Sequence, residues 1–551
     1  MDPIFDNDDE EEDEISIANI FTDISSIGTI VSEAHDTNAS HITSSHSFRI
    51  SQLRGIERLL TENSVALSQC IYKDLGQGPM YAMAFELNVA LSRCQYALCN
   101  VKQWMQTRRV CTPWPLNLNM PVHSTVRIEP RGVVTIITPW NMPVLLVLSS
   151  LIDALAAGCV CILKMSDQCR YTTRLLSQLL SNNTYVDEIV VRLINGGADV
   201  AQELLTHRVD AISYTGGSKV GRIVALAAAK YLTPVLLELG GKNAVFVTKN
   251  AHIKSAAMRI AWGKITGNAG QMCICPDFVF VEECVQDEFV HELCLAMDEM
   301  YPMSSYANDD DDDDGSAGVG RHKRFGDVGK MISIQHAKRV VSLLDSTCEV
   351  IYGGQHHDVK RRFVAPTIVK ATIDSTVMNE EIFGPILPIV CVPNIDNALQ
   401  FVNERFTTRA EHPLVLYIFS QSSDEQCRIM EAVPSGMCSI NEVLKIGGNF
   451  NLPFGGIGLS GMGGASTGKF GFDFFSHERG TMVGGNRSTS RWDPSVWLVH
   501  PPFDDRKLHV FRFISKVPLV WERIKSIIAA TFLPVAFAIV CLHFYPNVSR
   551  G

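Results

Sequence analysis

The sequence predicts an α/β fold of the doubly wound type, followed by a second α/β domain. Between Arg131 and Thr248, short runs rich in Val, Ile and Leu alternate with stretches of helical periodicity. Continuous apolar runs indicate strands covered by helices on both faces, as in a parallel sheet. The runs are VVTIIT (133–138), CVCILK (159–164), EIVVRLI (188–194), AISY (211–214), PVLLEL (234–239) and AVFVT (244–248). A sheet of this kind, Rossmann-like in its winding, binds ligands beyond the carboxyl ends of its strands.

The length of the chain and the changes in its composition and hydrophobic periodicity predict several domains. A chain of 551 residues is too long for one hydrophobic core. Residues 38–108 repeat apolar positions at three- and four-residue steps, which predicts helices. We expect an acidic, disordered N-terminus (1–37), a nucleotide-binding domain with N-terminal helices (38–240), a second α/β domain (241–440), a glycine-rich return with an oligomerisation segment (441–500) and a C-terminal extension (501–551).

The net charge of −11 comes from two acidic blocks. Nine acidic residues lie within the first fourteen, and six aspartates form the run 309–314. Blocks of like charge are usually solvated, and we expect both to be disordered. A calcium site in NDDDDDDG is the alternative, but the run lacks alternating ligands and a final bidentate Glu. Without these blocks the acidic and basic residues nearly balance, and we expect neither a nucleic-acid partner nor a metal.

The cysteines predict free thiols rather than disulfides. Sixteen of them are scattered along the chain without the short, regular spacing of a disulfide framework. No apolar signal precedes them at the N-terminus, so we expect a reducing compartment.

The C-terminal extension carries a candidate membrane anchor. Sixteen residues from Ile527 to Leu542 contain no charge, and Phe544 and Tyr545 extend the apolar run past a histidine. A bilayer span needs roughly 17 to 25 residues. Arg523 and Lys525 precede the segment, which suits the membrane–water interface. We expect an anchor at about 527–545 with the rest of the chain in the cytosol. The alternative is a buried terminal helix.

Two predicted strands end in polar residues that suit ligand binding. VVTIIT leads into TPWNMP, where the Asn141 amide could donate to a developing oxyanion. The next strand ends in LKMSD, and its Lys164 and Asp167 suit the hydroxyls of a ribose. Ordinary turn residues and surface charges are the alternative interpretations.

Two later strands end in glycines. In YTGGSKVG, Gly216 and Gly221 would let the backbone approach a pyrophosphate at a helix N-terminus, although the pattern is not G-x-G-x-x-G. In LLELGGKN, Glu238 stands in an apolar run, where an unpaired carboxylate needs a functional reason.

The stretch NAGQMCICPD places Cys273 and Cys275 after a small, flexible turn. Either thiol could be a nucleophile. Cysteine is also among the most buried residue types, so a buried strand is the alternative when the stretch is taken alone.

Together these motifs resemble the NAD(P)-dependent aldehyde dehydrogenases, and among them the fatty aldehyde dehydrogenase branch with a C-terminal membrane anchor. The resemblance runs from about Phe48 to Arg479. It rests on the motifs EPRGVV, TPWNMP, ALAAGCVCILK, YTGGSKVG, TPVLLELGGKN, NAGQMCICPD, EEIFGPILPIV and LPFGGIGLSGMG, which occur in this order. It implies an NAD(P)-binding domain at 38–240, a catalytic domain at 241–440 and a homodimer.

The resemblance also implies roles for individual residues. Cys273 would be the nucleophile, Glu238 the general base and Asn141 the oxyanion donor. The cofactor would be held by Trp140, Lys164, Asp167, Gly216 and Gly221, with Glu381 and Phe383 beside the nicotinamide ribose.

Four positions depart from the family pattern. Gly217 replaces a usual Ser, Met165 a usual Pro, Asp167 a common Glu and Met272 a small hydroxyl residue. None of these removes a catalytic group, so they bear on cofactor choice and affinity.

The resemblance therefore implies a membrane-anchored enzyme, on the endoplasmic reticulum, that oxidises medium- or long-chain aldehydes. We expect NAD more than NADP, because Asp167 would repel a 2′-phosphate. The alternatives are a catalytically weak, dehydrogenase-like membrane scaffold and an enzyme for a small polar semialdehyde.

Overall fold

The structure is a computed structural model that describes residues 21–113, 123–302, 327–483 and 501–513, together with residue 516. The described chain forms two compact units. One contains the chain up to Trp104 and Glu129–His477, and the other contains Met105–Ile128 and the described residues from Glu478 onward. The acidic N-terminal block, the acidic run 309–314 and the predicted anchor 527–545 lie outside the described residues.

The described strands are numbered in chain order. They are β1 (Arg108–Val110), β2 (His123–Pro130), β3 (Val133–Ile137), β4 (Val160–Lys164), β5 (Val191–Leu193), β6 (Ala211–Gly216), β7 (Val235–Leu239), β8 (Ala244–Val247), β9 (Phe278–Glu282), β10 (Cys348–Tyr352), β11 (Thr367–Ala371), β12 (Ile386–Val392), β13 (Val415–Phe419), β14 (Met437–Ile440), β15 (Gly461–Met462) and β16 (Ser476–Val483).

The α-helices are named by their bounds. They are Ile27–Ala39, His46–Glu62, Ser64–Leu75, Pro79–Tyr81, Asn88–Trp104, Leu145–Ala157, Arg170–Leu180, Ala198–Leu204, Ser218–Ala229, Ile253–Ile265, Gln286–Met300, Ile334–Val341, Ile395–Arg409, Ser423–Ala432 and Lys469–Phe474, and a π-helical segment, Ala82–Leu87, precedes Asn88–Trp104. A further helical stretch covers 505–513.

The helices from His46 onward form as their apolar periodicity predicts. The expected disorder of 1–37 is wrong for its last part, because Ile27–Ala39 is a helix that buries Ile27, Val31 and Ala34. His46–Glu62 begins where the Ser45 hydroxyl accepts a hydrogen bond from the Phe48 N–H at 3.1 Å, which satisfies one of the otherwise unpaired donors of the first turn. Ser64–Leu75 ends at Gly76, whose φ of +66° suits glycine.

The first sheet has six strands in the order β15-β7-β6-β3-β4-β5. Five of them run parallel and β15 is antiparallel to β7. Every residue of β3, β4 and β7 is buried, as expected for a sheet covered on both faces. The predicted doubly wound α/β fold is therefore confirmed.

Two predicted strands differ from the observed ones. The run 188–194 gives only the three-residue strand β5, because the N–H groups of Val190 and Val191 both donate to the Asp187 carbonyl and form a turn. The run 244–248 was grouped with the first sheet, but β8 pairs with β9 and β13 of the second sheet. The chain changes sheets at Gly240 and Gly241.

The second sheet has seven strands in the order β10-β11-β12-β9-β8-β13-β14. It is parallel except for β10, which is antiparallel to β11. Apolar clusters pack against it and include the fully buried Phe246, Phe280 and Tyr417. The sheet supports the loop that carries the two cysteines of NAGQMCICPD.

Three further observations concern the described residues alone. Strands β1, β2 and β16 form a separate three-stranded sheet. The cysteines in the described ranges are free thiols. None of the helices in the described ranges has the length and apolar character that crossing a bilayer requires.

Candidate active site

The turn before Cys273 is held by buried side-chain amides. Asn268, Ala269 and Gly270 have φ values of +53°, +53° and +75°. A Cβ at Gly270 would lie 2.2 Å from the Gly384 carbonyl oxygen, so this position requires glycine. The Gln271 amide donates to the Lys330 carbonyl at 3.1 Å and accepts from the Ile332 N–H at 3.1 Å. The turn therefore has one well-defined conformation.

The two cysteines face different surroundings. Cys273 is partly exposed and lines a cavity of about 570 Å³. Cys275 is 4% exposed, and its thiol points at the carbonyl oxygens of Gly263 (3.4 Å) and Gly267 (3.5 Å). Only the Cys273 sulfur can reach a molecule in the cavity.

The Cys273 thiol is held in its protonated form. Burial raises its pKa well above the usual range, and the negative charges of Glu238 and Glu381 raise it further. Its own backbone N–H acts in the opposite direction, since a donor near sulfur favours the thiolate. The resting nucleophile must therefore lose a proton during the reaction.

Asn141 is anchored to the turn that carries the cysteine. Its Nδ2 donates to the Gln271 carbonyl at 2.9 Å, and its own carbonyl accepts from Asn268 Nδ2 at 2.9 Å. One of the two Asn141 amide hydrogens is used in this contact. The amide has a second hydrogen, which this contact does not use.

Glu238 lies in β7 and lines the same cavity as Cys273. It is 7% exposed, and its Oε1 has no hydrogen-bond partner among the described residues. Burial raises its pKa, while the Ser466 hydroxyl and the Arg93 charge lower it. The carboxylate is thus a base in an environment that excludes most water.

The cavity walls are mainly apolar. Apart from Cys273 and Glu238, the lining combines apolar side chains with backbone and polar groups of two loops: Ala84, Phe85, Val89, Arg93, Met142, Leu145, Leu146, Trp262, Met272, Ile274, Leu444, Lys445, Gly447, Gly448, Asn449, Phe450, Asn451, Phe454, Ser466 and Thr467. The rings of Phe85 and Trp262 lie 6.0 Å apart.

The predicted phosphate-binding residues lie where the first sheet meets the helix Ser218–Ala229. This helix begins at Gly217 without a side-chain cap, and a Cβ built at Gly217 meets no atom within 4 Å. Gly221 packs against Leu239, whose Cδ2 would lie 2.7 Å from an added Cβ. The uncapped, open helix N-terminus therefore fits a pyrophosphate.

The predicted ribose-binding residues lie at the end of β4. Lys164 is buried, and burial lowers its pKa while Asp167 and Asp199 raise it. Asp167 is exposed. A Cβ at Gly197 would lie 3.6 Å from Asp167 Oδ2 and 3.2 Å from Asp199 Oδ1, so the two carboxylates flank one glycine.

Glu381, Phe383 and Trp140 lie on the cysteine side of the cofactor region. A Cβ at Gly240 would lie 2.2 Å from Glu381 Oε2, so this carboxylate packs against the backbone two residues after Glu238. Burial and the Asp277 charge raise the pKa of Glu381 to about 8. The Phe383 ring meets Trp140 edge-on, with centroids 5.5 Å apart.

The structure brings the predicted site residues to one edge of the first sheet. Four adjacent strands carry, at or just beyond their carboxyl ends, Asn141, Lys164, Gly216 and Glu238. The Cys273 thiol faces Glu238 and Glu381. Lys164, Asp167, Gly216 and Gly221 do not line the cavity that contains the cysteine. They form the predicted cofactor side instead.

Sequence reasoning missed several groups that build the site. The Asn243 amide donates to the carbonyls of Cys273 (2.7 Å) and Cys275 (2.9 Å), and the Tyr417 hydroxyl donates to the Ile274 carbonyl at 2.5 Å. Asn243 lies inside the quoted motif LLELGGKN, but Tyr417 has no local signal. Arg93 and Asp153 were also missed. Asp153 is the one charge in an apolar helix, whereas Arg93 shares its helix with Lys102 and several polar residues.

Comparisons with known proteins agree with this geometry. The profile of the Aldehyde dehydrogenase family matches residues 21–480. Aldehyde dehydrogenase family 3 member A2 of Rattus norvegicus is 35% identical over 495 residues, covering 90% of this chain and 95% of that protein. The 4,4'-diaponeurosporen-aldehyde dehydrogenase of Staphylococcus aureus is 36% identical over 471 residues, covering 85% of this chain and 95% of that protein.

A solved structure, the substrate-bound state of Staphylococcus aureus AldH, superposes with a TM-score of 0.78 at 32% identity and covers 88% of this chain and 99% of that one. The chain belongs to the aldehyde dehydrogenase family. It is an oxidoreductase acting on aldehydes, with a nicotinamide dinucleotide as cofactor.

Replacing Cys273 with Ala is expected to lower aldehyde oxidation by about a thousandfold or more, because the nucleophile is lost. Cofactor binding and the melting temperature should change little. Cys275→Ala is the matched control, and it should keep most of the activity while losing about 1 kcal/mol of stability. Steady-state assays and thermal melts of both variants check this. An active Cys273 variant beside a dead Cys275 variant would reverse the assignment.

Proposed function

We propose that this enzyme oxidises aliphatic, medium- to long-chain aldehydes to carboxylic acids. The observation that carries the proposal is the cavity of about 570 Å³, which presents Cys273 and Glu238 within walls that are mainly apolar. Such walls suit a hydrocarbon chain, since burial of apolar surface favours binding by about 25 cal/mol per Å². The relatives named as aldehyde dehydrogenases support aldehyde oxidation, and the chain length is proposed from the apolar walls.

The first half of the reaction uses Cys273 and Asn141. The Cys273 thiol releases its proton to solvent, and the sulfur attacks the aldehyde carbonyl carbon, which gives a thiohemiacetal oxyanion. The second Asn141 amide hydrogen and the Cys273 backbone N–H donate to that oxygen. The nicotinamide ring supplies the hydride acceptor when the cofactor is bound. Loss of hydride from carbon leaves a thioester on Cys273.

The second half uses Glu238. Its carboxylate takes a proton from water, and the water oxygen attacks the thioester carbonyl. The carbon–sulfur bond then breaks, and the carboxylic acid leaves as sulfur takes up a proton. Burial of Glu238 strengthens its hydrogen bond to the attacking water, because the local dielectric is low.

Two other functions fit the chain less well. A weakly active scaffold would not need Cys273 and Glu238 on one cavity, with Asn141 bound to the turn that carries the cysteine. A small polar semialdehyde would leave most of the apolar wall without a contact. The structure therefore favours the aliphatic substrate over both.

The proposal predicts different defects for the two half-reactions. The wild-type enzyme should reduce NAD with a long aliphatic aldehyde more efficiently than with a small polar semialdehyde. Glu238→Gln should form one equivalent of NADH rapidly and then turn over at least about a hundredfold more slowly, because Gln cannot accept the proton. Stopped-flow absorbance checks both. Unchanged steady-state turnover in Glu238→Gln would remove this residue from the mechanism.

For the cofactor we propose NAD over NADP. Asp167 and Asp199 place two carboxylates at the proposed ribose site, where a 2′-phosphate would be repelled. A relative from Mus musculus is named "Aldehyde dehydrogenase, dimeric NADP-preferring", so NADP is the competing choice. A larger kcat/KM with NADP would refute the preference.

We also propose that residues 527–545 anchor the enzyme in the endoplasmic reticulum membrane and leave the catalytic residues in the cytosol. The support is the charge-free run Ile527–Leu542, which lies outside the described residues. A lipid-derived aldehyde is concentrated in the membrane, so an anchor would place the enzyme beside its substrate.

Deletion of residues 525–551 tests the anchor. The truncated enzyme should leave the membrane fraction, because burial of a charge-free run of this length outweighs peripheral contacts. Activity on a short aldehyde should be kept, and activity on a long, poorly soluble one should fall. Membrane fractionation of the full-length and truncated enzymes measures the association, and assays with a short and a long aldehyde measure the activities. Sedimentation of both forms with membranes would place the anchor elsewhere, and unfolding of the truncated form would mean that the segment is a packing helix.

A homodimer is proposed as the assembled state. The helix Ser218–Ala229 exposes an apolar row, Val220, Ile223 and Leu226, and Leu226 is 75% exposed. An exposed apolar row of this kind indicates a protein interface. The dimeric relative named above supports the same assembly.

Leu226→Asp should convert the dimer into monomers, because an unpaired charge would be buried at the interface. Leu295→Asp, at an exposed position on a helix of the second sheet, is the matched control and should stay dimeric. Light scattering after size exclusion gives the mass of each form. A dimeric Leu226→Asp enzyme would exclude this helix as the interface.

A further inference from the structure

A buried arginine lines the substrate cavity without a role in the reaction just described. Arg93 lies in the helix Asn88–Trp104, is 9% exposed and contributes to the same wall as Glu238. Its Nε has no hydrogen-bond partner among the described residues. A guanidinium in this position is costly unless nearby negative charge compensates it.

The compensating charge comes from a second buried residue. Asp153 of the helix Leu145–Ala157 is 2% exposed, and the backbone N–H groups of Thr467 and Gly468 bind its carboxylate. A Cβ at Gly471 would lie 2.0 Å from Asp153 Oδ2. Contacts from three sides therefore fix the carboxylate, and it cannot swing into the cavity.

The charges around Glu238 come from several elements. Arg93 faces it from one helix, Asp153 from the next, and the Cys273 thiol from the catalytic turn. Ser466 contributes a hydroxyl, and Glu381 faces the same thiol. Lys445 also lines the cavity, but its Nζ is paired with Glu442 at 2.7 Å. Among the described cavity residues, Arg93 is thus the cation whose charge acts on the Glu238 carboxylate.

The charge count argues against an anion-binding role for Arg93. Two carboxylates, Asp153 and Glu238, already interact with this one guanidinium. An anionic group on the substrate would add a third negative charge and be repelled. The cation therefore serves the residues of the enzyme.

We propose that Arg93 is a positioning residue that keeps the Glu238 carboxylate ready as the base for thioester hydrolysis, and that Asp153 limits its effect. The inference rests on the proposed role of Glu238. The Arg93 charge lowers the pKa of Glu238, so it extends the ionised form to lower pH. Glu238 raises the pKa of Asp153, and by reciprocity the Asp153 charge acts on Glu238 in the same direction.

The two residues should therefore shift the pH profile of hydrolysis in opposite directions. The acidic limb of this profile marks protonation of Glu238, and hydrolysis is lost as the pH falls through its pKa. Arg93→Met removes the favourable cation, so the limb should move up by about one pH unit. Asp153→Asn removes the competing anion, so the limb should move down. Arg93→Lys keeps the charge and should restore the wild-type profile for the most part.

The experiment separates hydride transfer from hydrolysis. The NADH burst with an aliphatic aldehyde should stay within about threefold of wild type in Arg93→Met, while slow turnover after the burst falls about tenfold near neutral pH. Arg49→Met is the matched control: Arg49 is a buried arginine that donates to the Thr43 and Ala156 carbonyls and does not line the cavity. Arg49→Met should destabilise the protein without moving the acidic limb of the pH profile of hydrolysis.

The outcomes separate this inference from the proposed function. Absence of a burst in the wild-type enzyme would refute the proposed function itself. Two results would overturn the positioning role when the burst is normal. One is an acidic limb of the pH profile that does not move in Arg93→Met. The other is a limb that moves in the same direction in Arg93→Met and Asp153→Asn. If Arg93→Met does not fold, the sign of the Asp153→Asn shift and recovery by Arg93→Lys decide the question.

Discussion

The catalytic turn depends on a set of buried side-chain amides. The side-chain amides of Asn268, Gln271 and Asn243 donate to buried backbone carbonyls around the cysteines and in the segments that pack against the turn. An unpaired buried carbonyl costs about 1 to 3 kcal/mol, so these amides make the turn stable. Asn243 also accepts a hydrogen bond from the Val415 N–H at 2.9 Å, which ties the turn to β13. The position of the Cys273 sulfur follows from these contacts.

The first sheet supplies the groups that face that sulfur. Parallel pairing aligns the carboxyl ends of β4, β3, β6 and β7, so residues distant in sequence become neighbours. The two-residue strand β15 pairs with β7, with Gly461 opposite Glu238. This short pairing brings the glycine-rich return against the base, and Ser466 and Thr467 enter the cavity wall. Glycine is needed at 463, where a Cβ would lie 1.8 Å from the Val235 carbonyl oxygen.

The sequence predicted the fold where local patterns were strong. Continuous apolar runs marked β3, β4, β6 and β7, and sequence motifs singled out Cys273, Glu238 and Asn141. It could not assign β8 to the correct sheet, because a buried run looks the same in either. It could not identify Arg93, Asp153 or Tyr417 either. Their roles come from contacts between residues 60 to 145 positions apart, and no local pattern records such contacts.

Burial of the acidic side chains changes the electrical character of the site. The pKa of Glu381 is raised to about 8 and that of Asp153 to about 7, so both carboxyl groups hold a proton more strongly than exposed ones do. Burial therefore disfavours a full negative charge on these two side chains. A protonated carboxyl group is far easier to desolvate than a carboxylate. The same burial that shifts these groups thus stores protons close to the catalytic cysteine, where the reaction releases and consumes them.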